Sequence, residues 1–324
     1  LAPSEMCIRD RYGWGMKYFM GPETWQPMVE DIEAAGHQRV SSIEEAEVYI
    51  NNAPNPRRIP EMPENIGWVQ HCFTGVNQLI DAGVITPDGV PWCNSAGAFA
   101  QPVAESALGL ALSQAHHHKA FAQAASWSVA KKLDESQAWL YDQQGPKRVA
   151  IFGAGGIGKQ LIKLLQPFGV HITAVNRSGR AVEGADEVVP MEQADHVWGE
   201  ADFIFCILPA TKDTEALINA ATFRAMKPSA IFINVGRGST VVTEDLVAAL
   251  RDGEIAGAGL EVMDPEPLPD GHPLYDLPNC TMTPHMAASA HVAQYHLGAI
   301  FNANAAAWER GEAMPTRVDV EAGY

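Results

Sequence analysis

Gly153-Ala154-Gly155-Gly156-Ile157-Gly158 follows the apolar run Val149-Ala150-Ile151-Phe152 and leads into Lys159-Gln160-Leu161-Ile162-Lys163-Leu164-Leu165. A glycine turn thus stands between a strand pattern and an amphipathic helix pattern over 157–165. In that setting each glycine has a reason. The first permits the tight turn, the second lets backbone approach a pyrophosphate, and the third lets the helix pack closely on the strand. The helix start adds free N–H groups and a partial positive charge. The stretch therefore predicts a dinucleotide site on Gly153, Gly155, Gly156, Ile157 and Gly158, against the alternative of a purely structural turn. A further strand over 172–175 completes a βαβ unit, which forces parallel pairing.

Downstream, apolar runs at 203–208, 231–234, 257–260 and 281–283 continue the strand series. The helix between them, 244–251, has Thr243 as N-cap, acids in its first turn, Arg251 in its last and Gly253 just beyond. The expected architecture is a Rossmann-type, doubly wound parallel α/β sheet. Upstream, from Met16 to about Asn94, strand patterns (17–20, 48–50, 68–70) alternate with helix patterns such as 25–35, without a phosphate-binding glycine signature. A long helix opens at Pro102 and runs toward 125, and an Ala-rich one over 287–310 returns to the first domain. The expected domains are 16–98 with 288–324, and 99–287.

With 324 residues the chain exceeds the roughly 250 at which single cores stop growing, so two domains are expected. Its formal charge of -17 argues against a nucleic-acid or anionic-membrane partner. Cys7, Cys72, Cys93, Cys206 and Cys280 are odd in number and never form a CxxC pair, which suggests neither a disulfide framework nor zinc. No apolar run reaches the ~18 residues that span a bilayer, and the start lacks a secretory pattern, so a cytoplasmic protein is expected. Residues 4–11 fit no period with their flanks. Residues 1–15 read as a non-native or disordered leader with the native start at Met16, the alternative being a flexible natural arm. His116-His117-His118 would not share one helix face, so a polar patch is preferred to a metal site, and no metal is expected.

At the tip of the second strand, where an NAD site places an acid, stand Asn176, Arg177 and Ser178. A guanidinium can pair with a 2′-phosphate that a carboxylate would repel. The expectation is NADP(H) preferred, with NAD(H) possible; a solvated loop arginine is the alternative. Three further polar residues fall at strand ends: Arg237 between Gly236 and Gly238, Glu266 between Pro265 and Pro267, and His285 after Pro284. Arg can hold a substrate carboxylate in a bidentate fork. His can protonate a carbonyl oxygen, and a neighbouring carboxylate can orient it. Each also has a structural explanation: a solvated turn, a proline loop, a core histidine.

Together, downstream of a dinucleotide fold, these residues resemble the D-2-hydroxyacid dehydrogenase family, nearest to its glyoxylate/hydroxypyruvate reductase-like members. The likeness covers nearly all of the chain from Met16. It implies a smaller flavodoxin-like substrate domain and catalysis by Arg237, Glu266 and His285. Substrate would be held by Gly75 and Val76, in Phe73-Thr74-Gly75-Val76-Asn77, and by Arg237. Leu208, Pro209, Val235 and Gly236 would line the cofactor, and the chain would form a homodimer through the cofactor domain. Where the family usually has Asp, this chain has Glu261, a cofactor contact by resemblance or a structural residue. The resulting expectation is an NADPH-preferring reductase of short 2-oxo acids. The alternatives are an NAD-dependent D-2-hydroxyacid oxidiser and a non-catalytic, dinucleotide-sensing binding protein of the same fold.

Overall fold

Strands covered on both faces read as unbroken apolar runs, and Ile231-Phe232-Ile233 and Phe203-Ile204-Phe205 are of this kind. In the computed structural model, which describes residues 15–141 and 145–323, both runs are buried strands. The chain divides into two compact units, Leu1–Phe99 with Ser289–Tyr324, and Ala100–Ala288. The expected leader at 1–15 lies, but for Gly15, outside the described residues.

The second unit holds β6 (Arg148–Phe152), β7 (His171–Asn176), β8 (Glu187–Pro190), β9 (Phe203–Cys206), β10 (Ile231–Asn234), β11 (Gly257–Leu260) and β12 (Cys280–Met282). They form one parallel sheet in the order β12-β11-β10-β9-β6-β7-β8. The chain leaves β6 toward β8, then returns to build the other half from β9. The strand order therefore reverses at β6 and β9, the position where such sheets bind dinucleotides. Register sharpens this: Phe152 pairs with Cys206, Cys206 with Asn234, Asn234 with Leu260, and Leu260 with Met282. The neighbouring strands end level, so the residues that follow them form one row along the carboxyl edge.

The first unit carries β1 (Lys17–Gly21), β2 (Gln38–Arg39), β3 (Val48–Asn51), β4 (Trp68–His71) and β5 (Trp92–Cys93), in the parallel order β2-β1-β3-β4-β5. This is the flavodoxin-like order. Helix Leu297–Glu309 packs on helix Gln26–Ala34, and its fully buried Phe301 meets the rings of Tyr18 and Trp68, with centroids 5.7 and 5.4 Å away.

Three local expectations are corrected. The long helix starts at Ala100 and ends at Ala115; His117 adopts a left-handed backbone (φ 55), and a separate helix, His118–Ala124, follows. The argument from a continuous helix face at the three histidines therefore fails: His116 and His118 stack with ring centroids 6.0 Å apart. The helix expected over 287–310 is two pieces, Ala290–Ala293 and Leu297–Glu309. Thr243 is not the cap of its helix but its first residue, and its hydroxyl donates to the Asp264 carbonyl at 2.5 Å. Gly253 does end that helix in the left-handed region (φ 71). Strands β2, β5 and β8 carry no strand pattern in the sequence, because they are short or of mixed polarity.

Candidate active site

The glycine turn follows β6 directly. Gly153 has φ +100, and a side chain there would lie 2.6 Å from the Ile207 carbonyl oxygen. Gly158 would meet the Gly153 carbonyl at 2.8 Å as the helix Gly156–Leu165 crosses the strand. Gly155 differs: the space where its side chain would stand is open. The helix start has no side-chain cap, so its first-turn amides, those of Gly156, Ile157 and Gly158, are available to a ligand. Open space beside uncapped amides fits a pyrophosphate.

At the tip of β7, the Asn176 side chain accepts from Ser178 N at 3.1 Å and donates to the Arg180 carbonyl at 2.8 Å. The Arg180 guanidinium donates to Ser178 Oγ at 3.0 Å. Arg177, Ser178 and Arg180 are exposed on this turn. Sequence reasoning missed Arg180, although the spacing Arg177-Ser178-Gly179-Arg180 was there to suggest a two-cation turn.

After β9 and β10 the loops touch. A side chain on Gly236 would come within 2.5 Å of the Leu208 carbonyl oxygen, and one on Gly238 would overlap the Met263 carbonyl. The two glycines around Arg237 are thus required by the loops on either side, which place the arginine between them. Asn234, buried and also missed, ties the turn: its Oδ1 accepts from Gly236 N at 3.0 Å and its Nδ2 donates to the Arg237 carbonyl at 3.0 Å. An asparagine closing an apolar strand is an Asx-turn signal. Burial disfavours the charge on Arg237 and the nearby Glu266 carboxylate favours it, with burial the larger effect. Leu208 and Val235 bury their side chains in the core, so they offer backbone to this edge; Pro209 is exposed.

His285 Nδ1 lies 2.6 Å from Glu266 Oε1, each side chain about half exposed. That bond leaves Nε2 as the ring nitrogen open to a substrate. Glu261, directly after β11, is buried, with its carboxylate bonded to Ser106, Thr283 and Ala287. Gly75 and Val76 stand in the first unit, after β4. Gly75 is exposed, whereas the Val76 side chain is in the core and only its backbone is available. Asn94 Nδ2 donates to the Thr74 carbonyl at 3.1 Å, and Ser95 N to the Phe73 carbonyl at 3.1 Å, so β5 braces this loop.

Residues 108–287 match the family described as "D-isomer specific 2-hydroxyacid dehydrogenase, NAD binding domain". A Corynebacterium melassecola protein, "Uncharacterized protein in proB 3'region", is 47% identical over 95% of this chain and 100% of its own length. A mouse (Mus musculus) glyoxylate reductase/hydroxypyruvate reductase is 41% identical over 52% of each chain, so the match spans about half of that relative. Among solved structures, a D-isomer specific 2-hydroxyacid dehydrogenase from Xanthobacter autotrophicus Py2 in complex with NADPH and MES superposes with a TM-score of 0.77 at 25% identity. The match covers 96% of this chain and all of that one. The glycine turn lies at the point of strand reversal, and the family match makes the chain a nicotinamide-dependent oxidoreductase. The chain belongs to the D-isomer specific 2-hydroxyacid dehydrogenase family, whose members act on 2-hydroxy acids.

Proposed function

We propose that the protein is an NADPH-preferring reductase of short 2-oxo acids of the glyoxylate and hydroxypyruvate type, yielding the 2-hydroxy acid, in the D form where the product is chiral. The observation that carries the reading is the bond between His285 Nδ1 and Glu266 Oε1 on the same sheet edge as Arg237. Bound reduced nicotinamide supplies the hydride. Arg237 pairs with the substrate carboxylate and the keto oxygen, each charge-assisted hydrogen bond being worth roughly 1.5–3 kcal/mol. His285 gives its Nε2 proton to that oxygen as the carbonyl carbon is reduced, and Glu266 holds the ring in place. Gly75 and Val76 offer their backbone amides to substrate, as the family resemblance implies.

For the cofactor, Gly153, Gly155, Gly156, Ile157 and Gly158 take the pyrophosphate, and Leu208, Pro209, Val235 and Gly236 line the row beside it. Asn176, Arg177 and Ser178, joined by Arg180, take the 2′-phosphate. The names of the mouse relative and of the NADPH-bound neighbour support substrate and cofactor. A homodimer through the cofactor unit is supported by its exposed aromatic residues, Trp127 at 85% and Tyr141 at 62%, with Phe121 and Trp139 nearby in sequence. Among the described residues no helix is long and apolar enough to cross a membrane, and four cysteines are buried free thiols, which suits the cytoplasm.

Cofactor oxidation measured with a panel of 2-oxo acids tests the reading. Turnover is expected with NADPH, with lower efficiency on NADH, loss in Arg237→Ala and His285→Ala, and selective weakening of NADPH in Arg177→Ala. NADPH binding without turnover of any 2-oxo acid would overturn it.

A further inference from the structure

Strand β11 is Gly257-Ala258-Gly259-Leu260, all buried, and the next residue is a carboxylate only 2% exposed. Such burial is tolerated only when donors surround the oxygens, and here three do. Ser106 Oγ donates to Oε2 at 3.1 Å, Thr283 Oγ1 donates to the same oxygen, and Ala287 N donates to Oε1 at 2.5 Å. The main chain adds a fourth link, His285 N donating to the Glu261 carbonyl at 3.0 Å.

These contacts bracket His285. Thr283 and Ala287 stand two residues to either side, and His285 itself has φ +52, a region that a residue with a side chain keeps only when its surroundings hold it there. Ser106 belongs to the helix Ala100–Ala115, which packs along β10, β11 and β12. The carboxylate therefore fastens the segment 283–287 to a long, rigid element. An aspartate, one methylene shorter, would not span the same donors from the same backbone.

We infer that Glu261 is a positioning residue for His285, a buried latch on segment 283–287, and not the cofactor contact that the family resemblance implies. The inference rests on the proposed role of His285 as proton donor.

Hydrogen exchange of the cofactor-free protein, read by mass spectrometry, tests the latch without any turnover. In Glu261→Gln and Glu261→Asp, peptides covering 283–288 are expected to exchange at least tenfold faster while the sheet strands keep their protection. In the same variants kcat is expected to fall at least tenfold, with NADPH dissociation constants, measured by fluorescence, within twofold of the parent. Unchanged protection of 283–288 in both variants would overturn the inference. So would NADPH affinity weakened tenfold with kcat at saturation retained, the mark of a cofactor contact. Should either variant fold poorly, Ser106→Ala removes a single donor; faster exchange confined to 283–288 supports the latch and unchanged exchange sinks it. If the parent protein reduces no 2-oxo acid, the functional proposal fails, while the exchange and affinity results still decide whether Glu261 is a latch or a cofactor contact.

Discussion

The side chain of His285 has one described hydrogen-bond partner, Glu266, and the proposed proton transfer depends on that bond. A positioned general acid contributes roughly 10²–10⁴-fold, so His285→Ala is expected to lower kcat by about that range. Glu266→Ala, which leaves the imidazole present but unheld, is expected to lose less, about 10²-fold, and Glu266→Gln less again because an amide oxygen still accepts from Nδ1. Steady-state kinetics beside cofactor titrations check this ranking; equal losses in both Glu266 variants would mean that charge, not orientation, is what the residue supplies. Gly238 presents a different kind of constraint. Its side-chain position overlaps the Met263 carbonyl, so Gly238→Ala is expected to cost more than about 2 kcal/mol of stability, read as a drop in thermal midpoint before any kinetic assay.

At the scale of elements, the turn between β6 and helix Gly156–Leu165 separates folding from binding within three residues. Gly153 has a positive φ and a carbonyl 2.6 Å from its side-chain position, whereas Gly155 faces open space. Gly153→Ala is therefore expected to destabilise the protein, and Gly155→Ala to leave its stability within about 0.5 kcal/mol of the parent while weakening NADPH at least tenfold. Calorimetry and a binding titration on the two variants separate the effects; normal NADPH affinity in Gly155→Ala would remove the pyrophosphate from this turn. The strand–turn–helix alternation that carries this site is a short-range pattern, legible because each element's apolar period lies within ten residues. The breaks at His117 and between Ala293 and Leu297 were not legible, since Ala-rich stretches satisfy the helical pattern whether or not the chain bends.

At the scale of the whole molecule, one source of acid sensitivity is a histidine outside the proposed catalytic row. His71 ends β4, is buried, and bonds to Asn51 Nδ2 at 2.9 Å. Burial pushes its pKa down to about 4 from the ordinary 6.5, with the backbone of Gly75 and Asn51 partly offsetting it. Between these values the unfolded chain binds the proton and the folded one does not, so stability rises with pH there and is lost on acidification. The loss begins as pH falls below 6.5, is complete below about 4, and totals on the order of 3 kcal/mol. Denaturant midpoints across that window are expected to flatten in His71→Gln; an unchanged slope would place the acid sensitivity elsewhere. Because only Cys72 separates His71 from the Phe73–Asn77 loop, the same protonation is expected, on the proposed substrate role of that loop, to raise KM for the 2-oxo acid.

From its sequence alone the chain specifies a glycine turn for a dinucleotide, an α/β rhythm on both sides of it, a cation at the β7 tip, and the identities Arg237, Glu266 and His285. These are local signals, each contained in a few neighbouring residues. Tertiary structure alone decided what those residues do to one another. Parallel pairing in level register brings the ends of β6, β9, β10, β11 and β12 into one row, although more than a hundred residues of chain separate the first from the last. Only that row reveals why Arg237 needs a glycine on each side, that Glu266 reaches His285, and that Glu261 turns inward to Ser106, Thr283 and Ala287. The physical reason is that hydrogen-bond partners are selected by distance in space, and sheet register, which sets those distances, is written in no single segment of the chain.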